Sequence, residues 1–203
     1  MSVADALRSS AEMETPIGNE RPNRGLGPHP HDPRTFAVAR RVTEIVAVAV
    51  PGAAAEHVGS SSVAGLPGKN IVDVLLPLDA VEIPSATERL VAVGFQQQGG
   101  PDPFPPERPL LEGSLREEGD VFAIHLHVIA HGEPEIEEMR AFRDRLRADP
   151  ELRDAYVAEK RRIVEEVVPD SLEYSYRKGV FVVETLREMG FPVERNTLGP
   201  AQE

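Results

Sequence analysis

A carboxylate, Asp73, stands inside the apolar run Ile71 to Leu76 of this 203-residue chain. An ionised carboxylate buried in a strand is costly unless a cation or hydrogen-bond donors meet it. Asp73 is therefore either paired structurally or placed for a metal. Twelve residues separate it from Ser60, in the stretch Glu56-His-Val-Gly-Ser-Ser-Ser-Val-Ala-Gly-Leu-Pro-Gly-Lys-Asn70. That stretch reads as a strand, a tight glycine-serine turn and a short connection to a second strand. Such a turn offers free backbone N–H groups and hydroxyls. With a strand carboxylate behind it, the pair suits a nucleotide phosphate and its divalent ion. Ser60 and Ser61, with the backbone at Gly59, are the phosphate-contact candidates, and also ordinary turn formers. Lys69 is either a point charge for phosphate or a solvated loop lysine. Gly65-Leu-Pro-Gly-Lys69 imitates a phosphate loop, but Val63 stands where its first glycine belongs and Asn70 where Ser or Thr belongs.

The second constellation is His125-Leu-His127. Strand residues alternate faces, so the two histidines project together from the face opposite Phe122, Ile124, Leu126 and Val128. Glu112 lies on the polar side of the preceding strand. If each strand turns its polar side the same way, Asp73, Glu112, His125 and His127 line one sheet surface. A His-x-His pair binds metal, orients phosphate or moves protons, or is merely hydrogen-bonded on a half-buried sheet. Beside Asp73 and the glycine-serine turn, the functional reading is preferred. Tyr174 and Lys178 lie four apart on one helix face. There Tyr174 is positioned to stack on a base, and Lys178 to reach a phosphate or neutralise acids. Arg140, Arg143, Arg145 and Arg147, interleaved with Glu137, Glu138 and Asp144, read as a solvated face.

Holding these groups in place requires a sheet and covering helices. Phe36, Ala39, Val42, Ile45, Val46 and Ala49 recur at helical spacing, which predicts a helix over Arg34 to Val50, stopped by Pro51-Gly52. Strands are expected at Ala54 to Val58 and Ile71 to Leu78. Ser85 and Glu88 form a capping box for a helix to Val93, closed by Gly94. A short strand at Phe95 to Gln98 and a Pro-rich loop over Gly99 to Pro109 follow. Leu110 to Arg116 and Val121 to Ala130 read as a hairpin about Glu117-Glu-Gly-Asp120. Three helices complete the chain: Pro134 to Arg147, one opened by Asp149-Pro150, and Ser171 to near Gly190. Residues 1–33, rich in Pro, Gly and charge, read as a flexible leader containing His29 and His31. Residues 34–190 read as a single domain, with an α/β core over 34–132 and a helical part over 133–190. Residues 191–203 read as a tail.

The net charge of −12 and pI of about 5.0 argue against non-specific nucleic-acid or anionic-membrane binding. They leave room for a local basic pocket and a small phosphorylated ligand. The absence of cysteine removes disulfides and thiolate metal sites. No apolar run approaches the ~20 residues of a membrane span, and no signal pattern opens the chain. A cytoplasmic location is expected.

The pattern hydrophobic-Gly59-Ser60, a dozen-residue spacer, then Asp73 in an apolar strand resembles the DNA polymerase beta-type nucleotidyltransferase superfamily. Within it, His57-Val-Gly-Ser-Ser-Ser-Val-Ala-Gly-Leu-Pro-Gly-Lys-Asn-Ile-Val-Asp73 is similar to the GrpB family. The likeness continues through His125-Leu-His-Val, Phe142-Arg-Asp-Arg-Leu-Arg147, Tyr156 with Lys160, and Tyr174 with Lys178. It covers roughly residues 30–188. It implies an α+β fold: a nucleotidyltransferase-like mixed β-sheet backed by helices, with C-terminal helices packed beside the sheet. On that arrangement the catalytic candidates are Asp73, His127 and Glu112, Glu112 being either a replacement for the acid missing at Leu75 or a solvated strand glutamate. Asp73 and His127 are the metal-ligand candidates, and Gly59, Ser60, Ser61, Lys69, His125, Tyr174 and Lys178 the nucleotide-contact candidates. The expected cofactors are Mg²⁺, or else Mn²⁺ or Zn²⁺, and a nucleoside triphosphate such as ATP. The expected partners are that nucleotide and a small-molecule acceptor. Leu75 stands where the superfamily has its second acid, and Asn70 where family members often carry Pro. Three activities follow: nucleotidyl transfer or activation of an acceptor, nucleotide binding without catalysis, or metal-dependent hydrolysis through the histidines.

Overall fold

The computed structural model describes residues 17–22, 25, 27–99, 103–166 and 171–193. Helix α1 (Arg34–Ala49) leads into strand β1 (Glu56–Val58). A 3-10 turn (Ser60–Ser62) and a loop then lead to β2 (Val72–Leu78). Helix α2 (Ile83–Ala92) precedes β3 (Gln96–Gln97), β4 (Leu110–Glu117) and β5 (Asp120–Ala130). Helices α3 (Pro134–Ala148), α4 (Pro150–Glu166) and α5 (Ser171–Glu188) follow. The five strands form one sheet in the order β1-β2-β5-β4-β3. Only the β2–β5 pair is parallel, so the sheet is mixed. The fold is α+β, one mixed sheet with helices packed against it.

Alternation along the strands divides the sheet as expected. Val72, Val74, Leu76, Phe122, Ile124, Leu126, Val128, Leu111 and Leu115 turn to the back. There they pack on the apolar stripe of α1 (Val38, Ala39, Val42, Ile45, Val46) and on Ile83, Ala86 and Leu90 of α2. The helical part has its own core, in which Phe142, Leu146, Tyr156, Val157, Val183 and Leu186 close on Val63 and Leu66 of the loop. A third contact joins the two parts: Ile136 of α3 meets Val58, Leu75 and Ile129 on the front of the sheet. Among the described residues no helix is long and apolar enough to cross a membrane.

Local chemistry accounts for most boundaries. The β4–β5 hairpin closes through Glu118 and Gly119, both at positive φ (48° and 87°), the two-residue geometry that matches strand twist. Asp149 caps α4, its Oδ1 accepting from the Leu152 N–H at 3.0 Å. The capping box expected at Ser85 and Glu88 is absent. Helix α2 begins earlier, at Ile83, because Pro84 in its first turn supplies helical φ and needs no hydrogen bond. Ser85 Oγ instead donates to the Glu82 carbonyl.

The described part of the expected leader differs from its flexible reading. Gly18 exchanges backbone hydrogen bonds with Ser114, and the Glu20 N–H donates to Ser114 Oγ at 2.9 Å. Ile17 is buried in the main core. Two glycines make its slot: a Cβ on Gly94 would lie 3.2 Å from Ile17 Cβ, and one on Gly113 only 2.6 Å from Ile17 Cγ2. Further along, His29 pairs with Gly68 through two backbone bonds. Asn70, at φ 55°, ties the same strap by accepting from Asp32 N–H and donating to the Pro30 carbonyl. A short apolar anchor within a polar stretch has no periodicity, and so leaves no pattern to read. Ile17→Ala is expected to cost ~2–4 kcal/mol, the range for truncating a buried isoleucine. Urea midpoints test it; an unchanged midpoint would mean the anchor contributes nothing.

Candidate functional site

The site forms where β2, β5 and the 3-10 turn meet. The register places Asp73 beside His125, His125 beside Glu112, and Glu112 beside Gln96, one row of polar side chains across four strands. The next row on the same face contains Leu75 and His127. Asp73 Oδ1 lies 3.4 Å from His125 Nδ1 and 3.6 Å from His127 Nε2. His127 is buried, while His125 is about one third exposed. Burial works to raise the Asp73 pKa, but the two imidazoles outweigh it and hold the carboxyl well below the usual range. Burial, with Arg108 nearby, lowers the His127 pKa against the pull of Asp73, which favours the neutral ring.

Gly59 explains the glycine of the motif. Its φ is 67°, and a Cβ there would lie 2.9 Å from Asp73 Cγ. The carboxylate rests on bare backbone, and any side chain at position 59 would displace it. The carbonyls around the turn are tied from behind. Ser62 Oγ donates to Gly59 O, His31 and Thr35 meet Ser61 O, and Arg147 donates to Ser62 O. Arg143 donates to His57 O, and Lys160 to Pro67 O. The N–H groups of Ser60 and Ser61 open the 3-10 turn, beyond reach of its own carbonyls.

Three lysines gather beside the turn, and two of them, Lys69 and Lys178, feel the charge of Asp73. Lys69 Nζ sits 4.0 Å over the Tyr174 ring, and Lys160 Nζ 4.3 Å over Tyr156. Burial, then repulsion from Lys178, pushes Lys69 down to about 8 and Lys160 down to about 7. Burial lowers Lys178 as well, with Asp73 opposing. Among the described residues none of the three lysines has a carboxylate ion-pair partner. The chain is acidic overall, yet these three lysines cluster beside a single carboxylate, Asp73.

The expected site residues thus separate. Asp73, His125, His127, Gly59, Ser60, Lys69 and Lys178 converge. Ser61 does not offer its hydroxyl outward; it is buried and lies 2.9 Å from His57 Nε2. Tyr174 is only 3% exposed and supports Lys69, so its ring is no open platform for a base. Glu112 sits one strand beyond His125 and has no hydrogen bond or ion pair among the described residues. Leu75, wholly buried against Ile136, leaves no second acid beside Asp73. Among the described residues no group of three or more His, Asp or Glu side chains is arranged to hold a metal ion.

Three residues take parts that no site assignment had given them, although Arg143 and Lys160 lie in segments that carry the family likeness. Arg143 is a clamp rather than part of a solvated face: it donates to Glu56 Oε2 at 2.8 Å and is 12% exposed. Lys160 is 2% exposed, a lysine on the apolar stripe of α4 between Tyr156 and Ile163; that placement was the available signal. Arg108 comes from the Pro-rich loop and reaches His127 Nδ1 at 3.2 Å; nothing local announces it.

The GrpB protein family matches residues 29–188, most of the chain and all of this site. The chain belongs to the GrpB family. A GrpB protein from Enterococcus faecalis has the same fold, with a TM-score of 0.62 at 19% identity over 80% of this chain and 99% of that one. A UPF0157 protein of Halalkalibacterium halodurans is 34% identical over 134 residues, 65% of each chain. One of Streptomyces coelicolor is 32% identical over 124 residues, 61% of each. This GrpB-family chain therefore spans a little under two thirds of the length of the curated relatives it matches. The fold is shared more distantly with a Cid1 poly(U) polymerase mutant bound to MgATP, at a TM-score of 0.52 and 14% identity over 84% of this chain and 55% of that one.

His57 is a half-buried neutral ring in the GrpB site, pushed down to about 4 by desolvation against the pull of Asp73. The unfolded chain protonates this histidine near pH 6.5 and the folded chain only near 4, so folding loses stability as pH falls through that window. From pH 7 to 5 the His57 contribution is expected to fall by roughly 1–2 kcal/mol. His57→Gln should flatten that part of the urea-stability profile; an identical slope in the variant would refute the assignment.

Proposed function

We propose that this site binds a nucleoside triphosphate with one divalent ion and transfers a nucleotidyl group to a small acceptor. The observation that carries the reading is Asp73 seated on the Gly59 turn, with Lys69 and Lys178 close enough to feel its charge, in a nucleotidyltransferase-like fold. The proposed phosphate contacts are Ser60, the N–H groups of the turn, Lys69 and Lys178. Lys160 keeps the loop in place through the Pro67 carbonyl. Tight carbonyl anchoring means the donors need no reorganisation when charge arrives.

The donor set fits one ion. Mg²⁺ is commonly held by one or two carboxylates plus substrate phosphates, and among the described residues Asp73 is the carboxylate seated against the turn. Bound there, the ion would neutralise phosphate charge. His125, the more exposed ring, is the group placed to accept a proton from an acceptor hydroxyl or amine. Positioning and charge neutralisation are the main demands of phosphoryl-group chemistry. The MgATP-bound poly(U) polymerase with a related fold is consistent with ATP as first choice. A cytoplasmic location and a small acceptor belong to the same proposal.

A second reading, nucleotide binding without catalysis, is favoured by one observation: Leu75 removes the carboxylate that would bridge two ions. Calorimetry with ATP, with and without Mg²⁺, tests the binding common to both. Pyrophosphate release with transfer of label from α-phosphate-labelled ATP separates them.

Asp73→Asn is expected to fold and to lose Mg²⁺-dependent ATP binding. A buried structural pair would behave differently, because removing one partner costs ~3–5 kcal/mol. A large fall in melting temperature with Mg²⁺-dependent binding intact would overturn the ion-holding role. ATP affinity should fall as pH rises through about 8, where the Lys69 ammonium loses its proton and its attraction for phosphate. Lys69→Met should weaken binding by roughly 10- to 100-fold, as for a lost charge-assisted hydrogen bond, and should remove that slope. Affinity unchanged by the substitution would exclude Lys69 from the site.

A further inference from the structure

Behind the polar row lies a chain of contacts that the phosphate reading does not use. Glu135, in the first turn of α3, holds one edge of the Arg108 guanidinium with both carboxylate oxygens: Arg108 Nε donates to Glu135 Oε2 at 2.9 Å, and Nη2 to Oε1. The ring of Phe104 covers the guanidinium at 4.3 Å. Arg108 Nη2 also lies 3.2 Å from His127 Nδ1. On the far side of that imidazole, Nε2 faces Asp73 Oδ1 at 3.6 Å. The sequence runs Glu135, Arg108, His127, Asp73, from a helix start through a loop and a strand to the site carboxylate.

A guanidinium has five N–H donors and no acceptor, and it keeps its proton in proteins. The nitrogen that receives its hydrogen bond must present a lone pair. His127 Nδ1 is therefore the bare nitrogen, and the ring hydrogen lies on Nε2. The opposite tautomer would set Nδ1–H against an arginine N–H and the Nε2 lone pair against a carboxylate oxygen. Both contacts would be repulsive, around a side chain only 7% exposed.

We propose that Arg108 is a positioning residue that holds His127 in its Nε2–H tautomer, directing that N–H at Asp73 and leaving no lone pair for a metal. A metal-binding imidazole needs a free lone pair directed at the ion. In His127 the lone pair is taken by Arg108 and the other nitrogen carries hydrogen. His125, 31% exposed, has no cation against its ring among the described residues, and its Nε2 is the imidazole nitrogen left to meet a ligand. This assignment goes beyond the nucleotide reading, and rests on it only for the purpose of aiming Asp73. The tautomer is measured on the free protein and stands or falls without any nucleotide.

The test is a long-range ¹H–¹⁵N correlation spectrum of the full ¹⁵N-labelled chain at pH 7.5, with His127 assigned by its disappearance in His127→Gln. His127 Nδ1 is expected in the unprotonated range and Nε2 in the protonated range. Arg108→Met should draw the two shifts together as the tautomers mix, and Arg108→Lys should keep them apart. If Arg108→Met does not fold, Arg108→Met/Glu135→Met removes the stranded carboxylate and is read the same way. Zn²⁺ as a probe should move His125 nitrogen shifts and leave His127 Nε2 in place. A protonated Nδ1 in the wild type, an unchanged spectrum without Arg108, or Zn²⁺ displacement of His127 Nε2 would each overturn the assignment.

Discussion

Everything at this site depends on one close approach, the Asp73 carboxylate on the backbone of Gly59. The strands that carry them are antiparallel neighbours, with Val58 directly paired to Asp73. The chain therefore turns away from β1 just where the carboxylate rises from β2. A side chain at position 59 would push the acid off the turn, and φ of 67° would strain it as well. Anion donors and acid are thus brought together by strand pairing, the most rigid element available.

The surroundings then set the charge. Two imidazoles meet one acid, Lys69 and Lys178 feel its charge, and desolvation holds Lys69, Lys160 and Lys178 below the usual lysine range. Burying unpaired cations costs stability. Their retention beside a turn of free N–H groups is the kind of strain found where a ligand supplies the missing charge. The helical part carries that strain. Tyr156 and Tyr174 face Lys160 and Lys69, Arg143 and Arg147 tie the turn, and the core of Phe142, Leu146 and Val157 locks these helices to Val63 and Leu66.

Much of this was legible in the chain. Period-2 alternation assigned His125 and His127 to the face opposite Phe122, Ile124, Leu126 and Val128, and the sheet has them there, because a pleated strand permits no other arrangement. Asp73 inside an apolar run announced itself by its desolvation cost. The Pro150 helix start with its Asp149 cap and the Glu118-Gly119 turn were equally readable, since each follows from the conformational limits of a few adjacent residues. Less was readable where distant segments meet. The slot for Ile17 is made by Gly94 and Gly113, and no local pattern joins the three.

The sequence alone determined the elements, the face on which the polar groups lie, and the acid and turn that mark the site, because these follow from backbone periodicity and from the cost of burying charge. Tertiary structure alone decided which of those groups are free to act. Ser61 was turned inward to His57, Tyr174 was placed under Lys69, Arg143 became a clamp on β1, and Arg108 was carried from a Pro-rich loop to His127. Each of those outcomes depends on a partner between 4 and 105 positions away in the chain. Hydrogen bonds and ion pairs act over a few ångströms of space, and only the folded chain sets that distance.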